Sequence, residues 1–287
     1  MLQGLLTEQT QMTTYRDREA RRFLHLLDHT NDGEQYLAVK SLRVRLLGDF
    51  QLLANDLTIS NLDVPRLQSL LAYLALHRGV PQSRSHIAYT LWPDSTDAQA
   101  HTNLRNLLYK LRMILPVVDT FLVVDRLTLC WQQDTFWSLD VQDFERAIAQ
   151  AAAAHRIQDL AAEQQALEAA LQFYKGDLLP SCYDEWIQGE RDRLQQIYQG
   201  ALERLIELLE QERNYAGAIR VAQRLLRLDP LQEATYRHLM HLHAVRGDRG
   251  AILRTYQTCA AVLKRELAIE PGLTTRKTYE RLIRAEN

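Results

Sequence analysis

The chain has 287 residues, with 34 Lys and Arg against 36 Asp and Glu, a formal net charge of −2 and 46% hydrophobic residues. That length suggests about two domains of ordinary soluble composition. The near-neutral charge excludes a polybasic nucleic-acid binder, so any nucleic-acid contact has to use a local patch. Cys130, Cys182 and Cys259 lie far apart, with neither metal-ligand nor redox spacing, and fit a reducing cytoplasm. No apolar run approaches 18 residues, so no membrane span is expected.

Residues 1–40 read as an extension, partly disordered, with a weak helical pattern over 15–28 that Asn31-Asp32-Gly33 breaks. The first residues lack the basic and apolar regions of a signal peptide. Forty residues are also too few for a receiver domain, so control by aspartyl phosphorylation is not implied.

At residue 41 the hydrophobic period changes to two. Leu42, Val44 and Leu46 alternate with Arg43 and Arg45, Gly48-Asp49 reads as a hairpin turn, and Leu57-Thr58-Ile59 reads as a third short strand. Pro65 opens a helix whose buried face is Leu67, Leu70, Leu71 and Leu74, and Gly79 ends it. A second helix is expected from Arg84 to Trp92.

The stretch 95–115 carries the strongest pattern. Leu104, Leu107, Leu108, Leu111, Ile114 and Leu115 recur at the spacing of one buried helix face. Thr102, Asn106, Tyr109, Lys110 and Met113 point the opposite way, Arg105 and Arg112 share one flank, and Asn103 sits on the other. No acidic residue occurs between Asp97 and Asp119. Asp94, Ser95, Thr96 and Asp97 supply N-cap candidates, and Pro116 stops the helix. Residues 121–124 and 127–131 then form a hairpin about Asp125-Arg126.

From 139 onward helical patterns follow one another with no strand signal. Gly217-Ala218-Ile219 and Gly250-Ala251-Ile252 lie 33 apart, close to the tetratricopeptide (TPR) period, and Asp229-Pro230 and Glu270-Pro271 close the helices that begin there. Such helix pairs stack around a continuous core and offer a concave face to a partner. The expected fold is mainly α with a small β component: a winged helix-turn-helix domain over 41–138, then an all-α, TPR-like helical repeat over 139–287.

Leu46-Leu-Gly-Asp-Phe50, Leu70-Leu-Ala-Tyr-Leu74 and Leu91-Trp92-Pro93, followed by Leu104-Arg105-Asn106 and Lys110-Leu111-Arg112, resemble the OmpR/PhoB-type DNA-binding domain. More specifically they resemble the SARP-type, AfsR/EmbR-like bacterial regulators. Asp140 to Phe144, Tyr174 to Leu179, Trp186, Arg191, Asp229-Pro230, Gly247-Asp248 and Glu270-Pro271-Gly272 resemble the bacterial transcriptional activator domain that follows the winged helix in that family. Pro93 departs from the glycine common there.

The resemblance implies a cytoplasmic, non-enzymatic transcriptional activator. Its partners would be double-stranded DNA, bound at direct repeats by tandem copies, and RNA polymerase. By position, Asn103, Asn106 and Lys110 match base-reading sites. Tyr109, Arg105 and Arg112 suit phosphate contacts, and Arg126 at the wing tip suits the minor groove. For Arg105 and Arg112, pairing with acids of their own domain is an equal alternative. A 41–138 fragment is expected to fold by itself and bind the operator, and 139–287 to show no DNA affinity.

Other chemistry finds no support. No glycine-rich phosphate loop occurs, so no nucleotide cofactor is expected. His238, His241 and His243 lack the shared face of a metal site. Asp184-Glu185 and Glu190-Arg191-Asp192 read as solvated ion pairs, and Trp92, Trp131, Trp137 and Trp186 as core. The competing function is a TPR-like protein-interaction scaffold whose winged domain does not bind DNA; the basic, acid-free stretch across 98–118 argues against it.

Overall fold

The computed structural model describes residues 41–59, 62, 64–132 and 137–284. The expected extension over 1–40 lies outside the described residues. The chain divides into two compact units: 51–138 with the segment ending at Val44, and 139–287 with residues 45–50.

In the first unit β1 (Leu42–Arg45), β2 (Gln51–Ala54), β3 (Leu57–Thr58) and β7 (Trp137–Leu139) form a sheet of order β3-β2-β1-β7. β2 and β3 pair antiparallel, Ala54 facing Leu57. Asn55 (φ 48°) and Asp56 (φ 66°) turn between them, both left-handed, as a two-residue type I′ hairpin requires.

Helix α1 (Pro65–Leu76) starts on proline and buries Leu67, Leu70, Leu71 and Leu74. It stops at Leu76, and Gly79 (φ 76°) lies beyond its end in the left-handed region. Helix α2 (Arg84–Leu91) takes its N-cap from Ser83, whose hydroxyl accepts from His86 N. Helix α3 (Asp97–Ile114) is capped by Thr96, whose hydroxyl accepts from Gln99 N at 3.4 Å. Three short strands complete the unit: β4 (Gln82–Ser83), β5 (Leu122–Val124) and β6 (Thr128–Trp131), in the order β4-β6-β5. The β5–β6 hairpin is the expected one, with its turn one residue later, at Arg126-Leu127, because Asp125 N–H donates to Thr128 O.

Gly48-Asp49 is not a tight hairpin turn. Five residues separate β1 from β2, and their backbone bonds lie within the second unit. Gly48 N donates to Asp177 O at 3.0 Å and Leu179 N to Leu46 O at 2.8 Å. The buried Asp140 carboxylate accepts Leu46 N at 2.9 Å, Leu47 N at 2.8 Å and Val141 N at 2.8 Å. Burial pushes this carboxyl above its ordinary range, against the pull of those N–H groups.

The rest of the second unit is helical: α4 (Asp140–Arg156), α5 (Leu160–Phe173), α6 (Gln188–Gln211), α7 (Tyr215–Leu228), α8 (Glu233–Val245), α9 (Arg249–Leu267) and α10 (Leu273–Arg284). The α4–α5, α6–α7 and α8–α9 turns repeat one device. A left-handed residue (Gln158, Arg213 or Gly247) precedes an N-cap (Asp159, Asn214 or Asp248). The cap's own N–H donates five residues back, to Ala154, Leu209 or His243, and its side chain accepts from the residue three ahead.

Buried and half-buried polar groups fasten the helices together. Arg191 donates to the carbonyls of Leu178, Leu179 and Cys182, all at 2.9 Å. Arg224 donates to those of Leu171 and Tyr174 and lies over the Tyr198 ring, itself stacked on Tyr174 at 4.0 Å. Glu163 is gripped by Arg204 at 2.7 Å and His155 at 3.1 Å, and the Arg204 bond holds its carboxyl below the usual range.

Candidate nucleic-acid interface

The buried face of α3 is Ala100, Leu104, Leu107, Leu108 and Leu111, and it rests on the apolar side of α2, where Ile87, Ala88 and Leu91 are buried. Packing on one side forces the opposite side outward, since residues three and four apart share a face. Asn106, Tyr109, Lys110 and Met113 are exposed there, Tyr109 and Met113 about two thirds so. Asn106, Tyr109 and Lys110 make no side-chain hydrogen bond or ion pair among the described residues. Their donors and acceptors are open to a ligand.

The other α3 candidates are partly engaged. Asn103 is half-buried, and its Oδ1 accepts from Gln99 Nε2 at 2.8 Å. Gln99 is a face residue the helical pattern had not singled out; the i, i+4 step to Asn103 is the signal that finds it. Arg105 is exposed and tied through Nη2 to Thr102 Oγ1 at 3.0 Å, while Thr102 donates to Ala98 O. Arg112 meets Asp119 in a fork, Nε at 3.1 Å and Nη2 at 3.0 Å from Oδ1. Asp119 sits just beyond the acid-free stretch, in the 3-10 turn Pro116–Thr120.

Arg126 lies apart from α3, exposed at the tip of the β5–β6 hairpin beside Leu127. The tip is rigid. The Asp125 carboxylate accepts Leu127 N, Thr128 N and Thr128 Oγ1 at 2.7, 2.6 and 2.7 Å, and the Thr128 backbone bond above all lowers its pKa. Arg84 ties the start of α2 to the same turn, its N–H donating to Leu127 O at 2.8 Å and its Nη1 to Asp125 O at 3.1 Å.

The histidines of α8 face different partners. His238 Nε2 lies 3.1 Å from Glu210 and His241 Nε2 lies 3.3 Å from Arg281 Nη2, while burial lowers the pKa of both His241 and His243. Among the described residues no group of three or more metal-ligating side chains converges, and no helix is long and apolar enough to cross a membrane.

A three-helix unit with an outward-facing third helix and a two-stranded wing, followed by a helical repeat, defines a winged helix-turn-helix fold joined to an all-α domain. Residues 139–283 match the family model of the bacterial transcriptional activator domain. The chain belongs to that family and is a SARP-type bacterial transcriptional regulator. Its fold is similar to that of Mycobacterium tuberculosis EmbR, solved in complex with a low-affinity phosphopeptide, with a TM-score of 0.65 at 19% identity over 86% of this chain. This chain spans 66% of the EmbR chain, just under two thirds. The C-terminal TPR-containing domain of a Plasmodium falciparum FK506-binding protein overlaps more loosely, with a TM-score of 0.36 at 16% identity over 51% of this chain and 90% of that one. No curated protein matches significantly.

Proposed function

We propose that this regulator is a cytoplasmic, non-enzymatic activator that binds double-stranded DNA sequence-specifically through α3 and contacts RNA polymerase. One observation carries the reading: Asn106, Tyr109 and Lys110 form an exposed, unpartnered row on a helix whose opposite face is fully packed. A helix of this diameter fits the major groove, where amide and ammonium groups reach base edges. Lys110 and Asn106 read bases, with Asn103 set beside them by Gln99. Tyr109 and Arg105 bond phosphates, and Arg126 reaches the minor groove or its phosphates. Arg112, held by Asp119, adds charge near the backbone more than a directed contact.

No cofactor enters this mechanism. Tandem copies on direct repeats would place winged domains about one helical turn apart, or a multiple of it, and joining two copies raises the effective concentration of each. The helical repeat is the candidate surface for polymerase. A gel-shift screen against genomic fragments tests the reading: a sequence-selective shift at moderate salt is expected. Absence of any selective shift would sink it and leave the protein-interaction scaffold in its place.

A further inference from the structure

The second unit is electrically lopsided. Residues 139–245 hold 11 Lys and Arg against 17 Asp and Glu, whereas 246–284 hold nine against four. Much of that excess gathers on α10. Arg276, Lys277, Arg281 and Arg284 fall within about 140° of arc at 100° per residue, with Glu280 among them and the buried Thr275 and Thr278 on the other side. All four cations are exposed.

Arg276, Lys277 and Arg284 have no acid within ion-pair distance among the described residues. Arg281 meets His241, a neutral acceptor, in place of a carboxylate. The helix that carries them is fixed. Its start is held by Glu233, whose carboxylate accepts Gly272 N at 3.0 Å, its buried side by Arg237 on Thr275 at 3.0 Å, and its flank by Tyr279 stacked on Tyr256 at 4.2 Å.

Against the expectation that 139–287 has no DNA affinity, we infer that the exposed face of α10 is a second, sequence-independent DNA contact, binding backbone phosphates. The inference rests on the proposed DNA-binding reading of the chain. Lys277, Arg281 and Arg284 rise about 10 Å along the helix, and duplex DNA presents a charge every ~1.7 Å of its axis, so several phosphates lie within reach of three long flexible cations. The face has no amide to read a base edge. It has one exposed apolar side chain, Leu273 at its start, where a protein interface would centre on an apolar or aromatic cluster. Clustered cations on one helix face, not tied up in ion pairs, are the footprint of a polyanion contact.

The test titrates the full chain onto a random-sequence duplex and onto its operator between about 50 and 200 mM salt. Compared with it are Lys110→Ala, the triple Lys277→Ala/Arg281→Ala/Arg284→Ala, and the charge-keeping triple Lys277→Arg/Arg281→Lys/Arg284→Lys. The alanine triple is expected to lower the log–log salt slope by about 2–3 on both duplexes, at ~0.9 per charge removed, and to leave sequence preference intact. The charge-keeping triple is expected to restore the slope. An unchanged slope in the alanine triple overturns the inference, as does an equal loss in the charge-keeping triple. So does loss of poly-L-glutamate binding with an unchanged DNA slope, which would point to an acidic protein partner. If no fragment is bound selectively but the alanine triple still lowers the random-duplex slope and Lys110→Ala does not, base reading by α3 fails and the α10 contact stands.

Discussion

The exposed face of α3 and the interior of the helical unit use polar side chains in opposite ways. On α3, Asn106, Tyr109 and Lys110 reach outward with nothing of their own chain to bond. In the interior of the helical unit Asp140, Arg191, Arg224 and Glu163 are bonded to backbone or neighbouring side chains. Burying a polar group costs about 1–3 kcal/mol unless it is paired, so groups inside a repeat must be satisfied. A group that is to recognise a ligand must stay unsatisfied until the ligand arrives. The difference separates side chains that hold the protein together from those left open for the proposed DNA contact, and it can be tested from both ends.

The largest effect is expected from cutting the chain between residues 138 and 139. Leu46 and Leu47 are 0% and 3% exposed, and their N–H groups are met by Asp140. A 41–138 fragment loses Asp140, Asp177 and Leu179 together. Thermal melting followed by circular dichroism should then show a broadened, lowered transition. A fragment melting cooperatively at the temperature of the winged unit in the full chain would show that residues 45–50 are dispensable to it, as sequence alone suggests.

Asp140→Ala comes next. Three buried N–H groups lose their acceptor, at about 1 kcal/mol or more each, while the sequence preference on DNA stays unchanged. Chemical denaturation beside a gel shift separates the two outcomes, and a shift in base preference would contradict the division of labour.

On the reading side, Lys110→Ala or Asn106→Ala should cost about 1–3 kcal/mol at particular base pairs and relax selectivity there without altering the melting temperature. Unchanged selectivity in both variants means that α3 is turned differently on its site. Arg112→Ala should do less, under ~1 kcal/mol and alike for every sequence, because an exposed ion pair with Asp119 contributes little and its Nε and Nη2 already have a partner. A loss confined to certain base pairs would instead make Arg112 a reader.

The smallest effect concerns acid. The Arg204 bond lowers the Glu163 pKa, so the stabilisation by its carboxylate is fully present above the ordinary glutamate range and is lost as pH falls through the lowered value. Stability measured from neutral pH downward should fall less steeply in Glu163→Gln than in the parent. Parallel curves would mean that the Glu163–Arg204 pair holds no differential charge energy.

Much of the architecture is legible locally. The change from period two to period 3.6, Pro65 at a helix start, the caps before α3 and the leucine stripe from 104 to 115 each depend on residues within a few turns of one another. Backbone geometry and burial act over that range, so sequence alone determined a winged unit, a helical repeat and the face of α3 that points outward.

Tertiary structure decided the rest. That residues 46–48 bond to Asp140 and to the 177–179 segment involves partners about 90 or more positions away, which no periodicity encodes. Two-residue β4 is a strand only because β6 pairs with it. The repeated turns use Gln158 and Arg213 where glycine would have been the visible signal, since backbone bonds from these residues and from the caps after them hold a left-handed conformation that local preference disfavours. Arg112 is drawn to Asp119 by a turn after the helix, and Arg276, Lys277 and Arg284 form no ion pair among the described residues although Glu280 lies on their own helix. Electrostatic pairing depends on distance through space, and distance through space is what the chain order withholds.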